Sequence, residues 1–443
     1  MPSVKLTQKL AGADRPQLIT LLVIAATLRL IAIGYWRDDL ADDRDAYLGI
    51  AQGIADGRGF SVPGSDQPTA FRPPLYPLLI APISQATPAH NIARGLLNLA
   101  LGLGTVFLVW RSAARLGLGT LGKTLAGLII AIDPLLVRYT PFPMTETFCT
   151  FLAALYLWML ADSKWSWQNG IKIGVTFGVL VLCRPTFWAF GVVAAVISFC
   201  IHTHRRMTIP VDFSKRLGHS IATLLATGLV VTPWFVRNEL ALGDPVLMTT
   251  HGGYTLLLGN NEAFYAEVVN QPFGTIWDGS HGPGQAGWIN GLEVEMTELE
   301  LEGEIKRDRW MSQRAKETIL QHPETFARAC LKKFLWFWNI APHAPAAGGV
   351  PGIAIVGLAI YYIILWGLLL VGMGLVIGKS IRKPGEMRSW WWPLLFVLCL
   401  SGVHLVYWSD ARMRAPAMPA IALLCAAAVI FTRKSSAESA GFD

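Results

Sequence analysis

A short acidic segment is the first feature of the sequence that could do chemistry. Residues 38–45 read DDLADDRD and hold five carboxylates, directly after an apolar run that ends at Trp36. A carboxylate that accepts a proton from a hydroxyl group is an ordinary general base. Aspartate is also a common N-terminal cap, so Asp42 or Asp43 could instead cap the helix that is predicted to follow. Five acids are more than a cap requires, and we therefore expect base chemistry here.

An arginine braced by prolines is the second feature. Residues 71–77 read FRPPLYP, and the prolines restrict the directions in which Arg72 and Tyr76 can point. A cation with a fixed direction suits the phosphate group of a lipid. The alternative is an interfacial arginine that reaches lipid headgroups without a specific ligand.

Other ionisable residues lie within or beside the apolar runs, and each has a structural and a functional interpretation. Glu146 lies at the mouth of an apolar run, where it either interacts with the helix dipole or belongs to a site, and we favour the site. Arg29 lies deep in the first apolar run and is expected to reach the membrane interface, with contact to a lipid phosphate as the alternative. Four histidines have no metal-ligand spacing and are expected to be satisfied or solvated: His251, His281, His343 and His404.

The composition places these residues in a membrane protein. Of 443 residues, 53% are hydrophobic and 15% are charged, and the mean hydropathy is +0.43. A soluble domain could not bury that much apolar surface. The net charge of +7 comes mostly from connections between apolar runs, so it indicates membrane orientation and not a nucleic-acid partner. Six scattered cysteines without C-x-x-C spacing argue against a zinc site or a disulfide scaffold.

Ten apolar runs are predicted to span the bilayer, because about 20 apolar residues cross roughly 30 Å of hydrocarbon as a helix. The first run follows Lys5, Lys9 and Arg15 but lacks a signal-peptide cleavage site, so we interpret it as an uncleaved span. With the N-terminus in the cytoplasm, every short cytoplasmic connection is basic, as the positive-inside rule requires. The predicted spans are 18–36, 91–110, 121–140, 146–162, 170–184, 186–201, 218–235, 352–378, 391–408 and 414–432.

Two long segments, 37–90 and 236–351, then lie outside the cytoplasm, and long connections are usually functional. In the first, helices are predicted from Asp43 to Ala55 and from about Pro74. In the second, a helix is predicted from Gly291 to Gln321, with a break at His322-Pro323 and a continuation to Trp338 along the membrane interface. The domain prediction is a membrane module with a catalytic outer loop (1–235), an outer domain (236–351), and C-terminal membrane helices with a cytoplasmic tail (352–443).

The order of these features resembles the GT-C class of membrane glycosyltransferases. It is most similar to the family 39 type, which includes protein O-mannosyltransferases and relatives of the lipid A aminoarabinose transferases. The matching motifs are D-x-x-x-Y from Asp43 to Tyr47, FRPPLYP at 71–77, MTET at 144–147, TPWFVRN at 232–238, GGY at 252–254 with GNN at 259–261, and SDARMRAP at 409–416. Met413 and Ala415 depart from the pattern, which has an aromatic residue and a leucine there.

The resemblance implies an all-helical GT-C-like fold, a polyprenyl-phosphate sugar as donor, and an acceptor hydroxyl on a lipid, a glycan or a protein. It implies that Asp43 is the general base, although Asp42 and Asp45 flank the matching position. Arg72 would bind the departing phosphate, with Arg412 as a second candidate. The other residues expected to bind substrate are Tyr76, Asp45, Tyr47, Glu146, Arg237, Asn238, Tyr254, Asn260 and Asn261.

No metal is obligatory for a donor with one phosphate, although Asp43 and Glu146 could share a divalent ion if they converge. The expected location is a bacterial inner membrane, with the site on the periplasmic side. Two rival hypotheses stay open, a lipid-linked-sugar flippase or transporter and a structural envelope subunit. Transporters place polar residues at the bilayer midplane, whereas the polar clusters here lie at the predicted outer ends of the spans.

Overall fold

The chain folds into helices throughout the part that the structure describes. The computed structural model describes residues 14–161, 165–204, 213–342, 351–383, 385 and 387–440, with no side chains at 198–204, 213 and 433–440. Lys5, Lys9 and His343 lie outside these ranges. The helices are α1 Arg15–Tyr35, α2 Tyr47–Ala55, α3 Leu75–Ile80, α4 Pro88–Arg115, α5 Gly119–Ile132, α6 Pro134–Arg138, α7 Thr145–Leu160, α8 Trp167–Cys183, α9 Phe187–His204, α10 Phe213–Leu242, α11 Gly252–Leu258, α12 Glu262–Phe264, α13 Gly284–Glu298, α14 Glu304–Gln321, α15 Pro323–Phe337, α16 Gly352–Arg382, α17 Trp391–Val406 and α18 Met418–Ala440.

Each of the ten predicted spans overlaps one of the longer helices, and the span 121–140 also contains the short α6. Six segments are long and apolar enough to cross a membrane: Arg15–Tyr35, Pro88–Arg115, Ser214–Leu242, Gly352–Arg382, Arg388–Val406 and Ala411–Thr432. Four apolar helices are shorter: Gly119–Ile132, Thr145–Leu160, Trp167–Cys183 and Phe187–Ile197. The chain is thus an all-helical multi-pass membrane protein, and a count of ten spans stays a prediction.

The last helix lies at the centre of the bundle. In the most apolar 18 residues of the segment Ala411–Thr432, 83% are buried inside the protein, against 17% in those of Gly352–Arg382. Helix α18 packs against α4, α5, α7, α16 and α17. The turn that precedes α18, Ala411–Ala417, is buried at its last four residues and contacts α7, α15 and α17.

The predicted span 121–140 is not one helix. It breaks at Asp133-Pro134, where α5 ends and Asp133 caps the short α6 through a hydrogen bond from the Leu136 N–H at 3.0 Å. Arg29 of α1 donates to the carbonyl oxygens of Ile130 and Ala131, both at 3.0 Å. The prediction that Arg29 reaches the interface was wrong, because its guanidinium group satisfies the last carbonyls of α5 inside the protein.

Helices α8 and α10 pack closely along a row of glycines. The backbone of α8 at Gly170 and Gly174 meets the carbonyl oxygens of His219 and Thr223 on α10. Thr223 and Thr227 donate hydrogen bonds to the carbonyls of Gly170 and Gly174, at 3.2 and 3.1 Å. Small residues that allow backbones to approach, joined by hydroxyl hydrogen bonds, are typical of helix pairs in membranes.

This packing gives a stability prediction with a matched control. Gly174→Ala places a methyl group against the Thr223 carbonyl oxygen, so we expect the free energy of unfolding to fall by about 1–3 kcal/mol. Gly228→Ala, on α10, meets open space, and alanine is the better helix former, so stability should hold or rise slightly. Thermal unfolding of both variants in one detergent checks this. Equal effects would contradict the packing argument.

The outer segments differ from the predicted helices at their boundaries. The helix predicted from Asp43 begins at Tyr47, because Ala46 adopts a left-handed conformation with φ of 61°. The helix predicted from Gly291 to Gln321 is two helices, α13 and α14, separated by a turn in which Glu300 and Gly303 have positive φ. The predicted break at His322-Pro323 and the helix after Pro74 are confirmed.

Candidate active site

Asp45 lies between two arginines that are far away in the sequence. Its Oδ1 is 3.3 Å from Arg72 Nη2, and its Oδ2 accepts a hydrogen bond from Arg412 Nη1 at 2.9 Å. The three side chains are 18, 14 and 24% exposed, so they are mostly buried but reachable by a ligand. The predicted convergence of the first outer segment with the loop before α18 is therefore present.

Arg412 continues the cluster towards α7. Its Nη1 is 3.8 Å from Glu146 Oε1, and Asp410 holds the guanidinium group through Nε at 3.2 Å. Arg184 donates to the same Glu146 oxygen at 2.5 Å and to Thr145 Oγ1 at 3.0 Å. Three guanidinium groups thus face three carboxylates, which we call the arginine–carboxylate cluster: Arg72, Arg184, Arg412, Asp45, Glu146 and Asp410.

The loop that carries Arg72 is fixed on both sides. Arg237, near the end of α10, donates to the carbonyl oxygens of Phe60 and Thr69, the latter at 2.6 Å. Glu304, at the start of α14, accepts from the Ala70 N–H at 2.7 Å and from the Thr69 hydroxyl. Pro73 and Pro74 then lead into α3. The guanidinium of Arg72 therefore extends from a segment with little freedom.

Aromatic rings surround Arg72. Its guanidinium lies 5.5 Å from the ring centroid of Tyr47, and Tyr47 meets Tyr76 edge-on at 5.5 Å. On the other side, Arg72 Nη1 is 3.1 Å from His251 Nε2, and the His251 ring stacks on Tyr254 at 5.1 Å. The predicted site residues Tyr47, Tyr76 and Tyr254 are thus brought to the cluster. The Tyr76 hydroxyl is buried and has no hydrogen-bond partner among the described residues.

The electrostatics of the site keep Asp45 charged and His251 neutral. Burial alone would raise the pKa of Asp45, but Arg412 and Arg72 outweigh it and hold that pKa below its usual value. Burial, with a smaller effect of Arg72, lowers the pKa of His251 to about 3. A neutral His251 that faces an arginine through Nε2 must accept there, so its proton lies on Nδ1.

The five carboxylates of the acidic segment have different partners. Asp43 accepts hydrogen bonds from the N–H groups of Leu48 (2.9 Å) and Gly49 (2.8 Å) and thereby caps α2. Asp42 pairs with Arg44, Asp39 with Arg138 at 2.8 Å, and Asp38 with Arg37 at 3.8 Å. Of the five, Asp45 is the one that the structure brings to Arg72 and Arg412, whereas both oxygens of Asp43 bind backbone N–H groups.

Four residues predicted to bind substrate hold the main chain instead of joining the cluster. Arg237 fixes the Arg72 loop, as described above. Asn238 donates to the Val246 carbonyl at 3.0 Å. Asn260 donates to the carbonyls of Leu256 and Val406, and Asn261 caps α12 by accepting from the Phe264 N–H. All four residues bond backbone atoms, and Asn260 Oδ1 also accepts from Lys333 Nζ at 3.1 Å.

The role of Arg237 gives a second stability prediction. Arg237→Leu leaves the Thr69 carbonyl without its donor and removes one of the two donors to the Phe60 carbonyl, so we expect the free energy of unfolding to fall by about 1–3 kcal/mol. Arg309→Leu removes only an exposed ion pair with Asp244 and should change it by less than about 1 kcal/mol. Thermal unfolding in detergent compares the two. A loss no larger at Arg237 than at Arg309 would show that Arg237 does not fix the loop.

Three members of the site were missed by sequence reasoning: Arg184, His251 and Asp410. Arg184 stands alone between two short apolar runs, and a charged residue in such a place is a signal for a site. His251 was expected to be satisfied or solvated; its Nε2 contacts Arg72, whereas its buried Nδ1 has no hydrogen-bond partner among the described residues. Asp410 was part of a quoted motif but had no assigned role, and it orients Arg412.

Among the residues that the structure describes, no group of three or more His, Cys, Asp or Glu side chains could hold a metal ion. Asp43 and Glu146, the pair predicted to share an ion if they converge, bind different groups, Asp43 the backbone of α2 and Glu146 the arginines.

Comparison with known proteins supports the fold. No protein-family model and no curated protein sequence matches the chain. An oligosaccharyltransferase of Archaeoglobus fulgidus in the apo form matches with a TM-score of 0.53 and 12% identity, over 93% of this chain and 50% of that chain. AglB of the same organism, in complex with an inhibitory peptide and a dolichol-phosphate, matches with a TM-score of 0.52 and 11% identity, over 97% and 52%.

A third match is ArnT from Cupriavidus metallidurans bound to undecaprenyl phosphate, with a TM-score of 0.42 and 11% identity, over 95% of this chain and 78% of that chain. The chain spans about half the length of the oligosaccharyltransferases that it matches. Identities this low show similarity of fold alone. The GT-C architecture predicted from the sequence is confirmed.

Proposed function

We propose that this protein is a membrane glycosyltransferase that transfers a sugar from a polyprenyl-phosphate donor to a hydroxyl group. The observation that carries the proposal is the ion pairing of Asp45 with Arg72 and Arg412. It unites a candidate base and two candidate phosphate ligands in one partly exposed cluster. The dolichol-phosphate in the AglB structure, which has the same fold, supports a lipid phosphate as the ligand.

Arg72 and Arg412 bind the phosphate in this proposal. A polyprenyl-phosphate sugar is a phosphodiester with one negative charge, and its leaving group gains a second when the sugar departs. Fixed cations in a partly buried site stabilise that developing charge, and guanidinium groups match phosphate oxygens well. Their positions are fixed before the ligand arrives, Arg72 by its braced loop and Arg412 by Asp410.

Asp45 is the general base in this proposal, in place of Asp43. The acceptor hydroxyl oxygen forms a bond to the anomeric carbon of the sugar while the bond from that carbon to the phosphate oxygen breaks. The electron pair leaves with the polyprenyl phosphate, and the hydroxyl proton moves to the Asp45 carboxylate. Asp43 positions Asp45 by fixing the start of α2, since its own oxygens accept from backbone N–H groups.

The proposed location is the inner membrane of a bacterium, with the site on the periplasmic side. The basic connections between the predicted spans support this orientation. The cluster is built from the first outer segment, the outer end of α7 and the turn before α18, all predicted to lie on that side. A polyprenyl donor would enter from the bilayer and the acceptor from the periplasm.

A donor screen tests the proposal. The purified chain is mixed in detergent with undecaprenyl phosphate linked to different hexoses and pentoses, in the presence of membrane lipids and glycans as acceptors. We expect release of undecaprenyl phosphate with at least one sugar. Movement of the intact donor across proteoliposomes without release would favour the flippase hypothesis, and neither activity with any donor would favour a structural subunit.

We also propose that transfer needs no divalent metal, because the arginines supply the positive charge at the phosphate. Incubation with a chelator is then expected to change the rate of sugar transfer less than about twofold. This change is small compared with the fall in rate when a hydrogen-bond donor that stabilises the developing charge is removed. A rate that falls with the chelator and returns on addition of Mg²⁺ or Mn²⁺ would contradict this.

A further inference from the structure

Arg72 and Arg412, the two arginines proposed to bind phosphate, are both paired with one carboxylate in the structure. Asp45 binds Arg72 through one oxygen and Arg412 through the other. Across the described part of the cluster, the positive charges of Arg72, Arg184 and Arg412 are matched by Asp45, Glu146 and Asp410. No positive charge is in excess there, so a lipid phosphate enters a site whose cations are neutralised.

A phosphate that binds this pair of arginines must compete with Asp45. Two anions on the same two guanidinium groups repel each other, most strongly where burial reduces screening by water. Arg412 has other acid partners in Asp410 and Glu146. In the part of the chain that the structure describes, Glu146 Oε2 is buried without a hydrogen-bond partner. Arg72 has a neutral neighbour, His251. Asp45 is thus the anion shared by both arginines and the one in most direct competition.

We propose that Asp45 acts as an internal counterion, which the donor phosphate displaces from Arg72 and Arg412, so that donor binding itself converts Asp45 into an active base. This inference rests on the proposed function. The two arginines stabilise the Asp45 carboxylate and make it a weak proton acceptor. A bound phosphate takes over the arginines and leaves the carboxylate free to accept the acceptor proton.

Thermodynamic linkage makes this coupling reciprocal. If phosphate increases the affinity of Asp45 for a proton by some factor, neutralising Asp45 increases the affinity for phosphate by the same factor. The acceptor hydroxyl is then activated only after the donor is bound. A substitution that removes the Asp45 charge must therefore strengthen phosphate binding while it stops transfer, which is an unusual combination for a residue in a substrate site.

Equilibrium binding of undecaprenyl phosphate tests this. The purified full chain is titrated with radiolabelled undecaprenyl phosphate in detergent, with undecaprenol to measure the contribution of the lipid tail. We expect Asp45→Asn to lower the dissociation constant about tenfold or more, within the usual range of such couplings. Asp45→Ser is a second variant in case one of the two does not fold, which thermal unfolding reports.

Asp39→Asn is the matched control, because it makes the same change of charge in the same acidic segment. Asp39 pairs with Arg138 and not with the cluster, so we expect less than a twofold change in the dissociation constant. Wild-type binding that equals the undecaprenol background would overturn both this inference and the proposed function. Phosphate-specific binding that Asp45→Asn and Asp45→Ser leave unchanged or weaken would overturn the inference alone.

Discussion

Replacing Asp45 by asparagine is expected to lower the rate of sugar transfer about 100- to 10,000-fold, the usual contribution of a general base. Asparagine keeps the size of the side chain but cannot take the proton of the acceptor hydroxyl. The loss should appear in kcat, because the donor still binds to Arg72 and Arg412. Release of undecaprenyl phosphate from the best donor of the screen, measured over single turnovers, gives the rate.

Asp43→Asn is the comparison that separates the two candidate bases. Asp43 caps α2 through two N–H groups, and asparagine keeps an acceptor for one of them. We expect a loss of stability of about 1 kcal/mol and a fall in rate of less than about tenfold. If Asp43→Asn folds normally and stops transfer while Asp45→Asn retains it, the base is Asp43, as the sequence resemblance implied.

The sequence could predict that charged residues from distant segments lie close together, because their proximity depends on the order and orientation of the membrane spans. Apolar runs and basic connections place the ends of the spans on one side, so Asp45, Arg72, Glu146 and Arg412 could be expected to meet. Which acid meets the arginines was not predictable, because it depends on one backbone angle. Ala46 with φ of 61° starts α2 four residues later than expected and directs Asp43 and Asp45 to different partners.

The functions of the motif residues outside the cluster were not predictable for a second reason. An asparagine or arginine looks the same in a sequence whether it binds a sugar hydroxyl or a backbone carbonyl. In a membrane protein the unpaired carbonyls at helix ends need donors, since water is scarce. Arg29, Lys333 and Arg414 meet this need at the ends of α5, α11 and α15.

The two arginines give the other prediction with a large effect. Arg72→Gln and Arg412→Gln are each expected to lower kcat/KM about 100- to 1,000-fold. This is the usual effect of removing one group that stabilises a developing negative charge. Lysine should recover only part of the loss, because it lacks the planar fork of donors. Arg58→Gln, in the same outer segment but paired with Asp56 outside the cluster, is the control and should change kcat/KM less than about twofold.

The double variant tests whether both arginines bind the same phosphate. If they do, the second substitution acts on a site that has already lost its phosphate geometry, so the combined loss should be smaller than the product of the single losses. Losses that multiply without interaction would place Arg72 and Arg412 on separate ligands, and the shared phosphate site would have to be abandoned.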